Sequence, residues 1–422
     1  MSKRWLSALI SLSVASLLFT ACKKNFSSDN PLPASYYPSV IISSDNNVVY
    51  AINPGTGARN WQYALPNDSN NTGIPTPLKP SPLVYNEMVY LATFNTDTIY
   101  KLNSKTGVLY AKMTVSGHNT VSFPGHFFTV IATPIADANI LYIATTNDTI
   151  YALDTGTSAT KWKFGSPDNT PLISSPVIYN GNIYIASTGG HVYCLNKTTG
   201  PDAAGNPIWQ YPGVDSTVTG GFYSSPSISA PYLYIGSMTD SNMYCIYLDP
   251  PTVPGVLPNP GILRWTFKTG GAILSSPTVY AGKCIFGSND FYVYCVDTQT
   301  AAFDWKQRTN SQVNSSPIIN NQVVYIGSYD YNLYALNIID GHVKWKFASN
   351  GLLKSSPVPY NGLVYIGSYD NYLYAVDSSF GTLKWKYYIN GNIQCSPAID
   401  DLSGSDQINS AVSGYNTSGN NN

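Results

Sequence analysis

Tryptophan returns at a fixed interval in the second half of this chain, at Trp265, Trp305, Trp345 and Trp385, 40 residues apart each time. The prolines of Ser275-Ser276-Pro277, Ser315-Ser316-Pro317, Ser355-Ser356-Pro357 and Cys395-Ser396-Pro397 keep the same step. A period near 40 built from short apolar runs is the signature of a propeller blade, a sheet too small to stand alone that stacks against copies of itself. The unit beginning at Ser355 predicts four strands, at 358–360, 363–368, 372–377 and 383–388. Asn361-Gly362 and Asp370-Asn371 mark its corners, because Gly, Asn and Asp tolerate the positive φ that a tight hairpin needs.

Looser copies of the Ser-Pro start occur at Pro82, Pro134, Pro176 and Pro226, which with the later four make eight. The first repeat, residues 40–64, supplies three strands and Trp61 with no Ser-Pro strand ahead of it. The last, from Ser396, supplies a Ser-Pro strand and then turns polar. Together the fragments complete one blade, which ties the termini and removes exposed sheet edges. The expected fold is all-β: an eight-bladed β-propeller of four-stranded antiparallel blades over residues 40–400, closed by a shared N-/C-terminal blade.

Composition agrees and excludes some functions. Lys and Arg number 22 against 23 Asp and Glu, with 11% charged residues, so no electrostatic footprint for nucleic acid is present. The 43% hydrophobic content allows a large core, and 34 Tyr favour strands. Repeated runs such as Val-Tyr-Ile-Gly-Ser and Leu-Tyr-Ala, with Tyr325, Tyr334, Tyr365 and Tyr374, account for much of that tyrosine.

Before the repeats, Lys3 and Arg4 precede a short apolar stretch, 5–20, that reads as an export signal over residues 1–21. The run Leu17-Leu18-Phe19-Thr20-Ala21-Cys22 resembles a bacterial lipobox, with Phe19 departing from the usual Leu, and Cys22 is then the lipid attachment site. Residues 22–39 suit a polar tether, and 401–422 a polar, disordered tail. Of the remaining cysteines, Cys194, Cys245 and Cys295 occupy a repeat position where Ala335 and Ala375 stand elsewhere, so they read as small buried residues. With Cys284 and Cys395 the count is odd, and no CxxC or vicinal pair occurs.

The segment from Ala51 through Thr56-Gly57 to Trp61 resembles the tryptophan-docking motif of the pyrroloquinoline-quinone (PQQ)-type eight-bladed propellers. Ala335, Gly341 and Trp345, then Ala375, Asp377, Gly381 and Trp385, repeat it. The resemblance implies that Trp61, Trp162, Trp209, Trp265, Trp305, Trp345 and Trp385 pack between blades with their indole N–H groups hydrogen-bonded. The second repeat has Ala111 at that place, and Trp209 and Trp265 follow insertions at 201–205 and 250–261. Further long segments, 66–79 and 114–129, project from the ring, where loops on a rigid scaffold commonly bind.

Quinone-dependent dehydrogenases of this family carry a vicinal disulfide over the cofactor, a calcium ion and an Asp base. Here Asp290, Asp330 and Asp370 recur at one hairpin corner, which suits turn capping, and His118, His126, His191 and His342 show no metal-ligand spacing. The Ser-Ser-Pro repeats set a ring of hydroxyls at one mouth of the channel, for holding water or a small polar ligand or simply for starting a crowded inner strand. No catalytic, cofactor or metal residue is assigned. An anchored propeller of this size resembles the BamB-type outer-membrane assembly lipoproteins. That implies a monomeric, non-enzymatic scaffold on the outer membrane, facing the periplasm or the cell surface, with an envelope protein such as a β-barrel assembly component as partner. The alternatives are an exported enzyme using PQQ with calcium and a surface lipoprotein that binds glycan or protein.

Overall fold

The computed structural model describes residues 37–66, 80–93, 98–115, 130–213, 220–248, 260–401 and 408–409. The export signal, Cys22, most of the tether, His118, His126 and the bulk of the insertions at 66–79, 114–129 and 250–261 lie outside these residues. The described residues form strands and turns, grouped in eight sheets.

In the blade that begins with Val358–Tyr360, Leu363–Gly367, Tyr372–Asp377 and Leu383–Tyr388 pair in sequence order as an antiparallel meander. The first corner is Asn361-Gly362 with φ of 48° and 78°, positive at both residues as a type I′ turn requires. Six further blades repeat this order. They are numbered 1 to 7 by inner strands starting at Leu83, Ile135, Val177, Ser227, Thr278, Ile318 and Val358.

Blade 8 is the shared one. Its inner strand Ala398–Asp400 pairs with Ser39–Ser43 in the register Ser39 to Asp400 and Ile41 to Ala398, and Val48–Ile52 and Arg59–Ala64 complete it. Ring closure through complementary half-repeats is therefore observed. One element was not anticipated: Ile408–Asn409, in the expected tail, pairs with Ala398–Asp400 as a fifth strand on the channel side.

Each blade is covered on both faces by its neighbours, so its middle strands are largely apolar. Along Tyr372–Asp377, Leu373 and Ala375 join a core with blade 8, whereas Tyr374 and Val376 join a core with blade 6. The two-residue period of a strand thus divides one apolar run between two cores. Close approach leaves little room: a Cβ on Gly367 would lie 2.2 Å from Ile393.

A meander of four strands sends its turns to two opposite ends. One face of the ring carries the corners between second and third strands and the connections between blades. The other carries the first hairpin of each blade and the turn before each outer strand. These are called the connection face and the turn face below.

Candidate functional site

At the turn face the tryptophans join blade to blade. Trp61 Nε1 donates to the Ser104 carbonyl at 2.7 Å, Trp305 to Ile338 at 3.0 Å, Trp345 to Ser378 at 3.0 Å and Trp385 to Pro54 at 2.8 Å. Trp162 and Trp265 do the same with Lys197 and Thr298. Each acceptor lies in the turn of the next blade, just after the Asn or Asp that caps it. A tyrosine from the second strand often shares the acceptor: Tyr365 Oη donates to Pro54 at 3.0 Å and Tyr325 to Ser378 at 3.1 Å. Trp209 is half-buried and packs on Tyr184 with ring centres 5.8 Å apart. The indoles also explain a glycine: Gly381 has φ of 70°, and a Cβ there would meet the Trp345 ring at 2.6 Å.

Blade 1 solves the same problem differently. Elsewhere the third strand offers a small residue opposite the tryptophan, as in Ala375 opposite Trp385 and Cys295 opposite Trp305. In blade 1 the sizes are exchanged, with Lys101 opposite Ala111. Lys101 is 8% exposed, and its Nζ donates 2.8 Å to the Thr155 carbonyl, the acceptor an indole would have used. It also lies 4.7 Å from the centre of the Tyr110 ring. Burial lowers its pKa, partly opposed by Asp154. The turn carries Ser158 at φ 64° where blades 7 and 8 have Gly381 and Gly57; blade 5 likewise carries Ala301 at φ 59°, there with Trp265 docked on the turn.

The serine hydroxyls form a belt around the inner strands. The Ser276 N–H donates to Ser316 Oγ at 3.0 Å, Ser316 to Ser356 at 2.9 Å, Ser356 to Ser396 at 3.0 Å and Ser396 to Ser81 at 2.9 Å. Thr133, Ser175 and Ser225 continue the series through Ser175, Ser225 and Ser276. The preceding serine ties its own blade, as when Gly367 N–H donates to Ser355 Oγ at 3.2 Å. Between the two readings of this ring, the structure gives the hydroxyls an architectural role, because each accepts a buried N–H from the blade before it.

At the connection face Asp290, Asp330 and Asp370 cap their corners and reach back to the preceding connection. Asp370 accepts from the Tyr372 N–H at 3.2 Å, from Tyr374 Oη at 2.7 Å and from the Asn350 N–H at 2.8 Å. Asp330 repeats this with Asn332, Tyr334 and Asn310. Blade 3 has Gly189 at this place, and the carboxylate arrives instead from the connection: Asp168 Oδ2 lies 2.4 Å from where a Gly189 Cβ would be. Asp168 accepts from Ser187 Oγ at 2.6 Å, Thr170 Oγ1 at 2.8 Å and His191 Nδ1 at 2.9 Å. Burial pushes its carboxyl up, but these hydrogen bonds together outweigh burial and hold it well below the usual range.

Sequence reasoning singled out neither Lys101 nor Asp168 for these roles. Both left a trace, namely a lysine in the Ala/Cys position of the repeat and a glycine in its Asp position. Cys194, Cys245, Cys284, Cys295 and Cys395 are buried and form no disulfide, and for Cys194, Cys245 and Cys295 that burial is what their place in the repeat led one to expect. Burial pushes the Cys245 thiol up to about 12 and the Cys395 thiol up to about 11. His191 and His342 are far apart in the repeat, one on each face. Among the described residues, no group of three or more His, Cys, Asp or Glu side chains is placed to hold a metal ion.

Comparison with known proteins places this geometry. The family described as outer membrane protein assembly factor BamB matches residues 25–110, 112–239 and 201–412. BamB of Salmonella typhimurium is 24% identical over 216 residues, covering 51% of this chain and 49% of the relative. Tetrathionate hydrolase of Acidithiobacillus ferrooxidans is 26% identical over 297 residues, covering 62% and 55%. The chain thus spans about half the length of these relatives. Among solved structures, BamB from Moraxella catarrhalis superimposes with a TM-score of 0.58 at 16% identity, covering 80% of this chain and 89% of that one. A europium-containing methanol dehydrogenase gives 0.59 at 13% identity, covering 76% and 81%. At such identities the solved structures show the propeller fold. The family match runs through nearly the whole ring, and the chain belongs to the family described as outer membrane protein assembly factor BamB.

Proposed function

We propose that the chain is a non-enzymatic, lipid-anchored scaffold of the bacterial envelope that supports outer-membrane protein assembly through protein contacts, with no cofactor of its own. The observation that carries this reading is the family match across residues 25–412. The fate of the polar side chains supports it. The serine belt and the corner aspartates are consumed by hydrogen bonds that hold blades together, which leaves the loops of a rigid disc for recognition. Cys22 is the proposed lipid attachment, with the ring hung from the outer membrane by the segment before residue 39.

Enzymes also occur among the similar proteins, so the competing reading is a quinone-dependent reaction at the channel mouth. Reconstitution with PQQ and calcium separates the two. The scaffold reading expects no retained quinone absorbance and an unchanged melting temperature. Stoichiometric quinone retention with a calcium-dependent rise in melting temperature would establish the cofactor and overturn the assignment.

A further inference from the structure

The corner between second and third strands ends, in each blade where it is described, on a residue with positive φ. Blades 2, 3, 4, 7 and 8 place Asp148, Gly190, Ser241, Asn371 and Asn47 there, with φ between 55° and 94°, and these are small or polar residues suited to a turn. Blades 5 and 6 depart from this. Phe291 has φ of 75° and Tyr331 of 72°, although a bulky side chain is costly in the left-handed region. Both rings point away from the core, Phe291 being 39% exposed and Tyr331 47%, and among the described residues neither stacks on another ring. Other exposed rings, such as Phe380 and Tyr388, stand at ordinary backbone geometry. Only these two are held outward against the preference of their own backbone, and a locally unfavourable choice that the fold does not require points to function.

The two rings flank one connection. The Thr309 N–H donates to the Phe291 carbonyl at 2.8 Å, and the next N–H, of Asn310, donates to Asp330 beside Tyr331 at 2.9 Å. Asn310 is exposed, and its side-chain amide makes no hydrogen bond among the described residues. The step repeats past Tyr331, whose carbonyl accepts from the Ser349 N–H at 2.8 Å, while the N–H of the exposed Asn350 donates to Asp370. Blade 2 has Pro167 at the place of Asn310 and blade 4 has Gly270. Rings and amides therefore alternate along one arc of the connection face. The connection from Thr309 to Asn314 carries no charged residue, and the corner carboxylates Asp290 and Asp330 are taken up by the hydroxyls of Tyr294 and Tyr334. Asn289 and Asn314, in the same stretch, hold Oδ1 atoms with no donor among the described residues, a demand that water shared with a hydroxylated ligand would meet. A charged partner would find no counter-charge in this connection. Ring faces edged by amides suit a molecule with apolar C–H faces edged by hydroxyls, which is the chemistry of an uncharged sugar.

We propose that the connection face of blades 5 and 6 binds an uncharged saccharide chain, with Phe291 and Tyr331 as platforms for sugar rings and Asn310 and Asn350 as partners for their hydroxyls. This goes beyond the scaffold reading and does not depend on which partner is bound. The test uses the full chain with Cys22→Ser, which carries no lipid, and calorimetric titration with chitohexaose, cellohexaose and maltohexaose. At least one is expected to bind with a dissociation constant of about 1 mM or tighter. Its affinity should change by less than about twofold between about 0.05 and 0.5 M salt, since no charge is neutralised. Phe291→Asn with Tyr331→Asn, which gives both corners the residue type of Asn371, should weaken binding by about tenfold or more. The melting temperature of this variant should hold or rise, because Asn suits the corner better, whereas a structural role for the rings would lower it. Asn310→Ala with Asn350→Ala should weaken binding by about threefold or more. Failure of all three sugars to bind, undiminished binding by the Phe291→Asn, Tyr331→Asn variant, or a lower melting temperature for it would overturn the proposal. Loss of an envelope protein from that variant's pull-down, with no sugar bound by the unsubstituted corners, would make the strip a protein contact and equally overturn it. Absence of sugar binding leaves capture of a protein partner by the parent chain unaffected.

Discussion

Lys101 donates its ammonium to the carbonyl of Thr155 at 2.8 Å, filling in blade 1 the role that an indole N–H plays elsewhere in the ring. The exchange is local and reciprocal. A long side chain moves to the third strand, a small one, Ala111, takes the tryptophan's place, and the turn above tolerates a Cβ at Ser158. Truncation to Lys101→Ala leaves a buried carbonyl without this donor and should cost about 1–3 kcal/mol in urea denaturation. Restoring the repeat with Lys101→Ala, Ala111→Trp and Ser158→Gly should recover most of that loss.

At the closing joint, Trp385 and Tyr365 both donate to the Pro54 carbonyl. Either Trp385→Phe or Tyr365→Phe leaves one donor in place and should be mild, on the order of 1 kcal/mol. The double variant should lose more than the sum, by about 0.5 kcal/mol or more in a double-mutant cycle. Trp385→Ala removes the aromatic body as well and should cost about 3–5 kcal/mol.

These joints also show what the repeat made legible. Strand positions in the Ser355 unit, the count of eight and the shared blade all follow from side-chain spacing, because a fixed period in sequence becomes a fixed angle in the ring. The docking role expected of the seven tryptophans comes from the resemblance to the PQQ-type propellers, on residues that the repeat locates. The substitutes could not be located in this way, since Lys101 and Asp168 act from positions offset from the residues they replace. Asp168 reaches a neighbouring blade's corner from a connection, a relationship that exists only once the blades are stacked. The serine ring was visible as a ring, but its purpose depended on the direction of the next blade's N–H groups.

Asp168 should make stability depend on pH. Its folded-state pKa lies below its unfolded value of about 3.9, so its contribution is complete above that value and fades as pH falls through the folded pKa. Asp168→Asn should lower stability by about 1–3 kcal/mol at pH 7, where Ser187, Thr170 and His191 lose a charged acceptor. The gap between wild type and variant should narrow as acid is added, measured by urea titration at a series of pH values. A constant gap down to low pH would contradict the account.

Within the serine belt, Ser316→Ala strands the Ser276 N–H and should cost about 1–3 kcal/mol. Ser316→Thr should be far milder, since Thr133 stands at the equivalent place in blade 2. If a small polar ligand used the ring, both changes would alter its binding while leaving the melt nearly unmoved.

The five buried thiols, Cys194, Cys245, Cys284, Cys295 and Cys395, should resist a thiol reagent at pH 8 in the native state and react on denaturation. Burial keeps Cys245 and Cys395 protonated there, with pKa values near 12 and 11. Rapid native labelling of any of them would show that its blade contact opens.

Capture of the partner bears most directly on the scaffold assignment. The chain, tagged at its C-terminus and expressed in its native host, is purified from detergent-solubilised outer membranes, and the co-purifying proteins are identified by mass spectrometry. The account predicts stoichiometric recovery of a β-barrel insertase that is lost when the preparation is denatured before capture. Recovery of the folded, membrane-derived chain without such a partner, together with turnover of a substrate by the same preparation, would contradict it.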